Sequence, residues 1–193
     1  MKSASLFVLL TVFGITQPLL AQTLRQHSAH EHGAARLAIA AEGNWLEIEL
    51  DSPAYNVFGF EHPPHTEAEQ ASVARASGIL KEGGALFEFE PAVGCELKHS
   101  ELTRGEEAHE EDHAADEEDH DHEEGHDHEA SEDHQDVLVR WQFQCQNLKE
   151  LAKVKIKVFE SFDLLQDLDV TYLIDDSQGA LELSPSQTQI QLK

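Results

Sequence analysis

The chain has 193 residues and a formal net charge of −25, from 38 Asp and Glu against 13 Lys and Arg. Such a balance excludes nucleic acid and anionic membrane surfaces as natural partners and points to cations. The length fits a single domain with added segments rather than two full domains.

The first 22 residues read MKSASLFVLLTVFGITQPLLAQ. One Lys precedes an apolar run from Leu6 to Ile15, and Pro18 and Ala21 lead up to Gln22. This is the pattern of a secretory signal peptide over 1–21, with an apolar core too short for a membrane span. It predicts a mature chain, 22–193, in the periplasm or an equivalent exported compartment.

Next, ARLAIAAEGNWLEIELD reads as a β-hairpin turning at Gly43-Asn44. Leu46, Ile48 and Leu50 alternate with Glu47, Glu49 and Asp51, giving one apolar and one charged face. The stretch SPAYNVFGFEHPPHT predicts a short helical or turn piece ended by Pro63-Pro64. Thr66, with Glu69 three residues on, opens a helix by a capping box that runs to about Leu80 and stops at Gly83-Gly84. ALFEFE and CELKH read as two short strands, VLVRWQFQC as another. KVKIKVF alternates Lys153, Lys155 and Lys157 with Val154, Ile156 and Val158, as a strand buried on one face. Lysines on an outer strand block edge-to-edge pairing; here they could also attract an acidic segment. LDVTYLID, a turn at Ser177-Gln178-Gly179, ALEL and QTQIQL complete the chain. The fold class is α+β, mainly antiparallel strands with one or two helices.

One segment does not fit that pattern. Residues 106–134 hold 16 Asp or Glu and 7 His, with no Lys or Arg. So polar a stretch cannot offset its chain entropy by burial, and it reads as a disordered loop inserted into the domain. Its imidazoles, His109, His113, His120, His122, His126, His128 and His134, stand at many i,i+2 and i,i+4 spacings. Neutral imidazole suits zinc, nickel, cobalt and copper(II), and carboxylates add charge and oxygen donors. With two to four imidazoles per ion, about two or three Zn(II) ions could be held. Copper(I) is disfavoured because the sole methionine is Met1, and calcium gives no reason for histidine. An HExxH match at His109–His113 arises by chance in such a composition, and no other catalytic motif is present, so no enzymatic activity is expected.

The two cysteines, Cys95 and Cys145, flank this tract. In an exported protein such a pair is usually a disulfide, here pinning the tract's ends; two thiolate metal ligands are the alternative. A second histidine group, His27, His30 and His32 before the first strand and His62 and His65 after the second, could meet across the hairpin. With Glu31 or Glu61 it would form a tighter four-coordinate site, His32 and His62 being its central members. His99 lies on the strand after Cys95.

Together these features resemble the ZrgA-type zinc-regulated proteins of periplasmic zinc uptake. The matching residues are HEHGAARLAIA, ELDSPAYNVFGFEH, the His/Asp/Glu-rich insert between two cysteines and FESFDLLQDLDVTYLIDDSQGALEL. The resemblance implies export, Zn(II) binding and a link to zinc acquisition; it assigns no ligand set. With the tract's chemistry it leads to the expectation of a zinc-binding accessory protein that collects Zn(II) on the tract and passes it to an ordered site or a membrane zinc transporter. The residues themselves leave open a passive buffer or resistance protein for zinc, nickel or copper(II).

Overall fold

The computed structural model describes residues 31–105 and 135–192. Its centre is the expected hairpin: β1 (Ala34–Glu42) turns at Gly43-Asn44 into β2 (Trp45–Pro53), antiparallel. A short helix α1 (Ala54–Phe58) follows, ended by Gly59 at φ 90°, a left-handed conformation that glycine adopts without strain. Helix α2 (Glu67–Glu82) begins at the Thr66–Glu69 capping box, present in both directions, and runs one turn-fraction beyond Leu80. Then come β3 (Phe87–Phe89), β4 (Cys95–Arg104), β5 (Asp136–Cys145), a 3-10 turn at Leu148–Glu150 and β6 (Lys153–Ile156). The short helix α3 (Val158–Ser161) precedes β7 (Asp167–Ile174), β8 (Ser177–Leu183) and β9 (Gln189–Gln191).

The strands form a six-stranded sheet, β4-β5-β2-β1-β7-β8, and a three-stranded sheet, β3-β6-β9. The fold is α+β and mainly β, as expected. All pairings are antiparallel except β1 with β7, which run parallel. Nothing in the local alternation of either strand distinguishes that partner, because an apolar face looks the same to a parallel and an antiparallel neighbour.

The period of two sorts the large sheet cleanly. Leu37, Ile39, Leu46, Ile48, Leu50, Val139, Trp141, Phe143, Leu168 and Val170 are buried on one face. Against that face pack α2 and the small sheet. Phe87 meets the rings of Trp141 and Phe143 edge-on at 5.0 and 5.9 Å, and the Trp141 indole N–H donates to the Leu80 carbonyl at 2.6 Å. The opposite face carries charge. Arg140 donates to Glu49 at 2.7 Å and lies near Glu47 and Glu101, and Arg36 pairs with Asp51 at 3.0 Å. The bonded Glu49 carboxylate holds the Arg140 guanidinium above its usual range.

Four local expectations change. The KVKIKVF strand ends at Ile156, because Lys157 takes a non-extended conformation and Val158 and Phe159 enter the core from α3. That strand is the centre of the small sheet rather than an outer edge, so edge protection is not what its lysines provide; Lys157 pairs with Glu88 at 3.3 Å and Lys155 approaches Glu160 at 4.0 Å. The last hairpin turns at Asp175-Asp176, with Asp175 at φ 51°, and Ser177, Gln178 and Gly179 already belong to β8. CELKH opens a ten-residue strand, β4, that pairs with β5 along its length with a bulge between Leu97 and His99.

The cysteines form a disulfide, Cys95–Cys145, and no free cysteine remains. They face each other at one end of the β4–β5 ladder, whereas the tract 106–134 connects the two strands at the other. At roughly 3.3 Å per residue the nine steps from Cys95 to Arg104 span about 30 Å. What brings the flanks of the tract together is therefore the backbone ladder itself, closed by Arg104 opposite Val137 and by the Gly105 N–H on the Asp136 carbonyl at 3.0 Å.

Candidate metal centre

Sheet register fixes which groups share an end. The start of β1 lies opposite the end of β2, the start of β5 and the start of β7. Helix α1 leaves this same end, and the Ala54 N–H donates to the Gln135 carbonyl, next to the tract's C-terminal flank, at 2.8 Å. The flanks of the tract, His32 and the segment from Glu61 to His65 thus share one end of the large sheet.

A buried asparagine builds the local frame. Asn56 is 2% exposed; its Oδ1 accepts from the Gly33 N–H at 2.7 Å, and its amide donates to the Ala34 carbonyl at 2.8 Å and to Ser52 Oγ at 3.2 Å. One side chain so ties α1 to the first residues of β1. Gly33 in turn accepts through its carbonyl from the Gln166 and Asp167 N–H groups at 2.7 and 2.8 Å. Replacing Asn56 by Ala leaves the part-buried Gly33 N–H and the buried Ala34 carbonyl unmet, and should lower unfolding free energy by about 1–3 kcal/mol in urea titrations.

On this frame His32 lies flat against Tyr55, ring centroids 4.0 Å apart and 13° from parallel. Its Nε2 is 3.0 Å from Glu61 Oε1, and since a carboxylate only accepts, Nε2 carries a hydrogen; in the neutral ring the lone pair is then on Nδ1. The expected meeting of the two histidine-bearing segments across the hairpin is this contact. Glu61 acts on His32 here as an orienting partner, the role carboxylates have behind metal-bound imidazoles. Its carboxylate is well covered, 11% exposed, while the His32 ring is half exposed.

Beyond Glu61 the rings continue. Phe60 stacks on His62 at 5.0 Å, and His62 on His65 at 5.3 Å and 11°. His62 Nδ1 is 2.9 Å from the Pro63 carbonyl, so it donates there and leaves Nε2 free to accept. His65 is held through its backbone, whose N–H donates to Glu69 Oε2 at 2.8 Å. That bond and the Thr66 N–H hold the Glu69 carboxyl below its usual range.

The structure brings His32 to Glu61 and His62 to His65, but the three imidazoles do not converge on one point. Among the described residues, the group of three ligand atoms within 4.8 Å of one another is Asp167, Asp169 and Glu182, on β7 and β8. Asp169 and Glu182 are register partners, and Asp167 pairs with Ala34 at the same sheet end as His32. Sequence reading did not select them: Asp167 and Asp169 show as an i,i+2 pair, but Glu182 joins only through the hairpin register. Tyr55 and Asn56 were missed for the same kind of reason, since only the fold sets them under His32. His99 is exposed on β4 at the bulge, opposite Gln142 and apart from both groups. His27 and His30 lie outside the described residues, as do the tract's His109, His113, His120, His122, His126, His128 and His134 and the segment 1–21 whose sequence reads as a signal peptide.

Imidazole and carboxylate donors gathered at one end of a β-rich fold are the equipment of a protein that handles divalent metal. The chain belongs to the ZrgA family of zinc uptake proteins, whose family model matches residues 29–192. Comparison with curated proteins returned no match. Among the described residues no helix is long and apolar enough to cross a membrane.

Proposed function

We propose that this protein is a periplasmic, non-enzymatic zinc-binding accessory of zinc uptake, which captures Zn(II) on residues 106–134 and hands it on to a membrane zinc transporter. The observation that carries the reading is topological. The His/Asp/Glu-rich tract is the connection of the β4–β5 hairpin, and its flanks share a sheet end with the His32–Glu61 and His62–His65 pairs. The chemistry supports it as well. Seven histidines among carboxylates offer borderline nitrogen donors that suit zinc. A long polar segment must lose chain entropy to wrap an ion, which favours modest, exchangeable affinity over permanent retention.

Calorimetric zinc titration of the full chain, beside one with all seven tract histidines replaced by Gln, tests capture. The substituted chain should lose at least two zinc equivalents per molecule, and the remaining heat should be that of donors outside the tract. Imidazole takes up its proton near pH 6.5, so the same equivalents should also be lost as the pH falls from 7 to 5. An unchanged zinc count in the substituted chain would remove the tract from the mechanism. Handover is read in cells: a strain lacking the protein should grow poorly at low zinc and be rescued by the intact chain but not by the tract variant. Rescue only at toxic zinc would instead mark a buffer.

A further inference from the structure

The geometry points to a second Zn(II)-class site outside the tract, with His62 and His65 as its two protein ligands and the other coordination positions open to exchange. This inference rests on the zinc-handling reading above, but uses none of the tract's residues.

Three observations carry it. First, the two ring centroids lie only 5.3 Å apart on exposed side chains; the planes are 11° from parallel, so their in-plane lone pairs meet on one ion once the exposed His65 ring turns toward a fixed His62, which repacks no core. Two nitrogens on one tetrahedral zinc stand about 3.3 Å apart, from Zn–N bonds of about 2.0 Å. Second, the His62 tautomer is set. Its Nδ1–H is committed to the Pro63 carbonyl, the second-layer bond that metal-bound histidines usually make, and in the neutral ring this leaves the lone pair on Nε2. Third, the connecting backbone is stiff. Pro63 and Pro64 fix two φ angles between the ligands, and Glu69 of the capping box clamps the His65 N–H at 2.8 Å. Little backbone ordering entropy is left to lose on binding between the two ligands.

Two nitrogens leave two positions of a tetrahedral ion for water or for a donor brought by another molecule. Structural zinc sites are closed by four protein ligands; an open pair accepts and surrenders metal by ligand exchange. The neighbouring His32, its Nδ1 lone pair free and its Nε2 held by Glu61, stands on the same end of the sheet as a further imidazole for such an exchange.

The test is zinc titration of the full chain carrying Gln at all seven tract histidines, followed by calorimetry and by imidazole nitrogen NMR. One zinc per chain should remain, with the His62 and His65 ring nitrogens shifted. In that background His62→Gln or His65→Gln should each weaken zinc at least tenfold, and His99→Gln should leave it unchanged. Circular dichroism spectra matching the parent keep loss of fold out of the comparison. The inference is overturned if the tract-substituted chain binds no zinc, which leaves the tract reading intact. It is also overturned if bound zinc survives both His62→Gln and His65→Gln, since the ion then sits on other donors. Failure of the tract reading looks different: intact and tract-substituted chains would bind equal zinc, and the His62 and His65 variants would still decide this site.

Discussion

Replacing Trp141 by alanine should cost the fold about 3–5 kcal/mol, the range for removing a large aromatic side chain from a core. Trp141 is wholly buried in the middle of β5, one strand in from the edge of the large sheet, and its ring is the surface on which Phe87 of the small sheet packs. The indole also holds the end of α2, since its N–H donates to the Leu80 carbonyl at 2.6 Å. Gly83 completes the contact: a Cβ there would overlap the indole, and its φ of 33° lies where side chains are strained. Trp141→Phe should cost less, because most of the apolar area stays while the Leu80 carbonyl loses its donor, a loss of about 1–3 kcal/mol. Urea unfolding followed by circular dichroism separates the two variants. A Trp141→Ala loss below 1 kcal/mol would mean that the two sheets do not depend on this ring. The packing bears on the candidate site, because α2 is anchored at its C-terminal end by Trp141 and begins at the capping box beside His65.

What the sequence made legible follows the range of each interaction. The first hairpin, the Thr66–Glu69 cap and the strand of β5 are local: alternation of apolar and charged residues, or two side chains three positions apart, set them without help from the rest of the chain. The disulfide also followed from local facts, two cysteines in an exported chain. Its place did not. Whether Cys95–Cys145 closes the tract's base or the far end of a hairpin depends on how far β4 extends, and the weakly alternating LKHSELTR gives little sign of ten residues of strand. At an edge, burial is one-sided and incomplete, and β4 is buried less regularly than β5.

The candidate site divides in the same way. His32, His62 and His65 were selectable because histidine is scarce enough outside the tract to notice. Glu61 was named as a ligand, but the fold gives it the task of orienting His32, a distinction that needs the 3.0 Å contact to be seen. The Asp167–Asp169–Glu182 group depends on β7 lying beside β1 and on the β7–β8 register, both long-range facts. Carboxylates alone at that place suit a hard cation rather than zinc, and exposed acidic groups commonly gather without one. The zinc proposal therefore rests on the histidines rather than on this carboxylate group.

Removing the disulfide, by Cys95→Ala with Cys145→Ala, should lower unfolding free energy by up to about 4 kcal/mol yet leave the zinc count unchanged. The first half follows from the loop. The bridge joins residues 50 apart, and closing such a loop in the unfolded chain is worth about that much in the entropy model. Against a total stability of about 5–15 kcal/mol for a domain, the change is large and shows readily in urea midpoints. The second half follows from the position of the bridge. It sits about 30 Å of strand away from the tract, whose flanks are held by the Arg104–Val137 pairing and the Gly105 to Asp136 hydrogen bond. The paired sulfurs have no thiolate to offer a metal, and their end of the sheet is opposite to His32 and His62. Zinc calorimetry on the oxidised protein and the double variant, at a temperature where both are folded, should therefore give the same number of equivalents. If the variant keeps its fold but loses zinc, the cysteine end of the hairpin is coupled to metal binding and the β4–β5 ladder does not suffice to hold the tract in place. If both properties stay unchanged, the ladder and the packing beneath Trp141 hold β4 without the bridge.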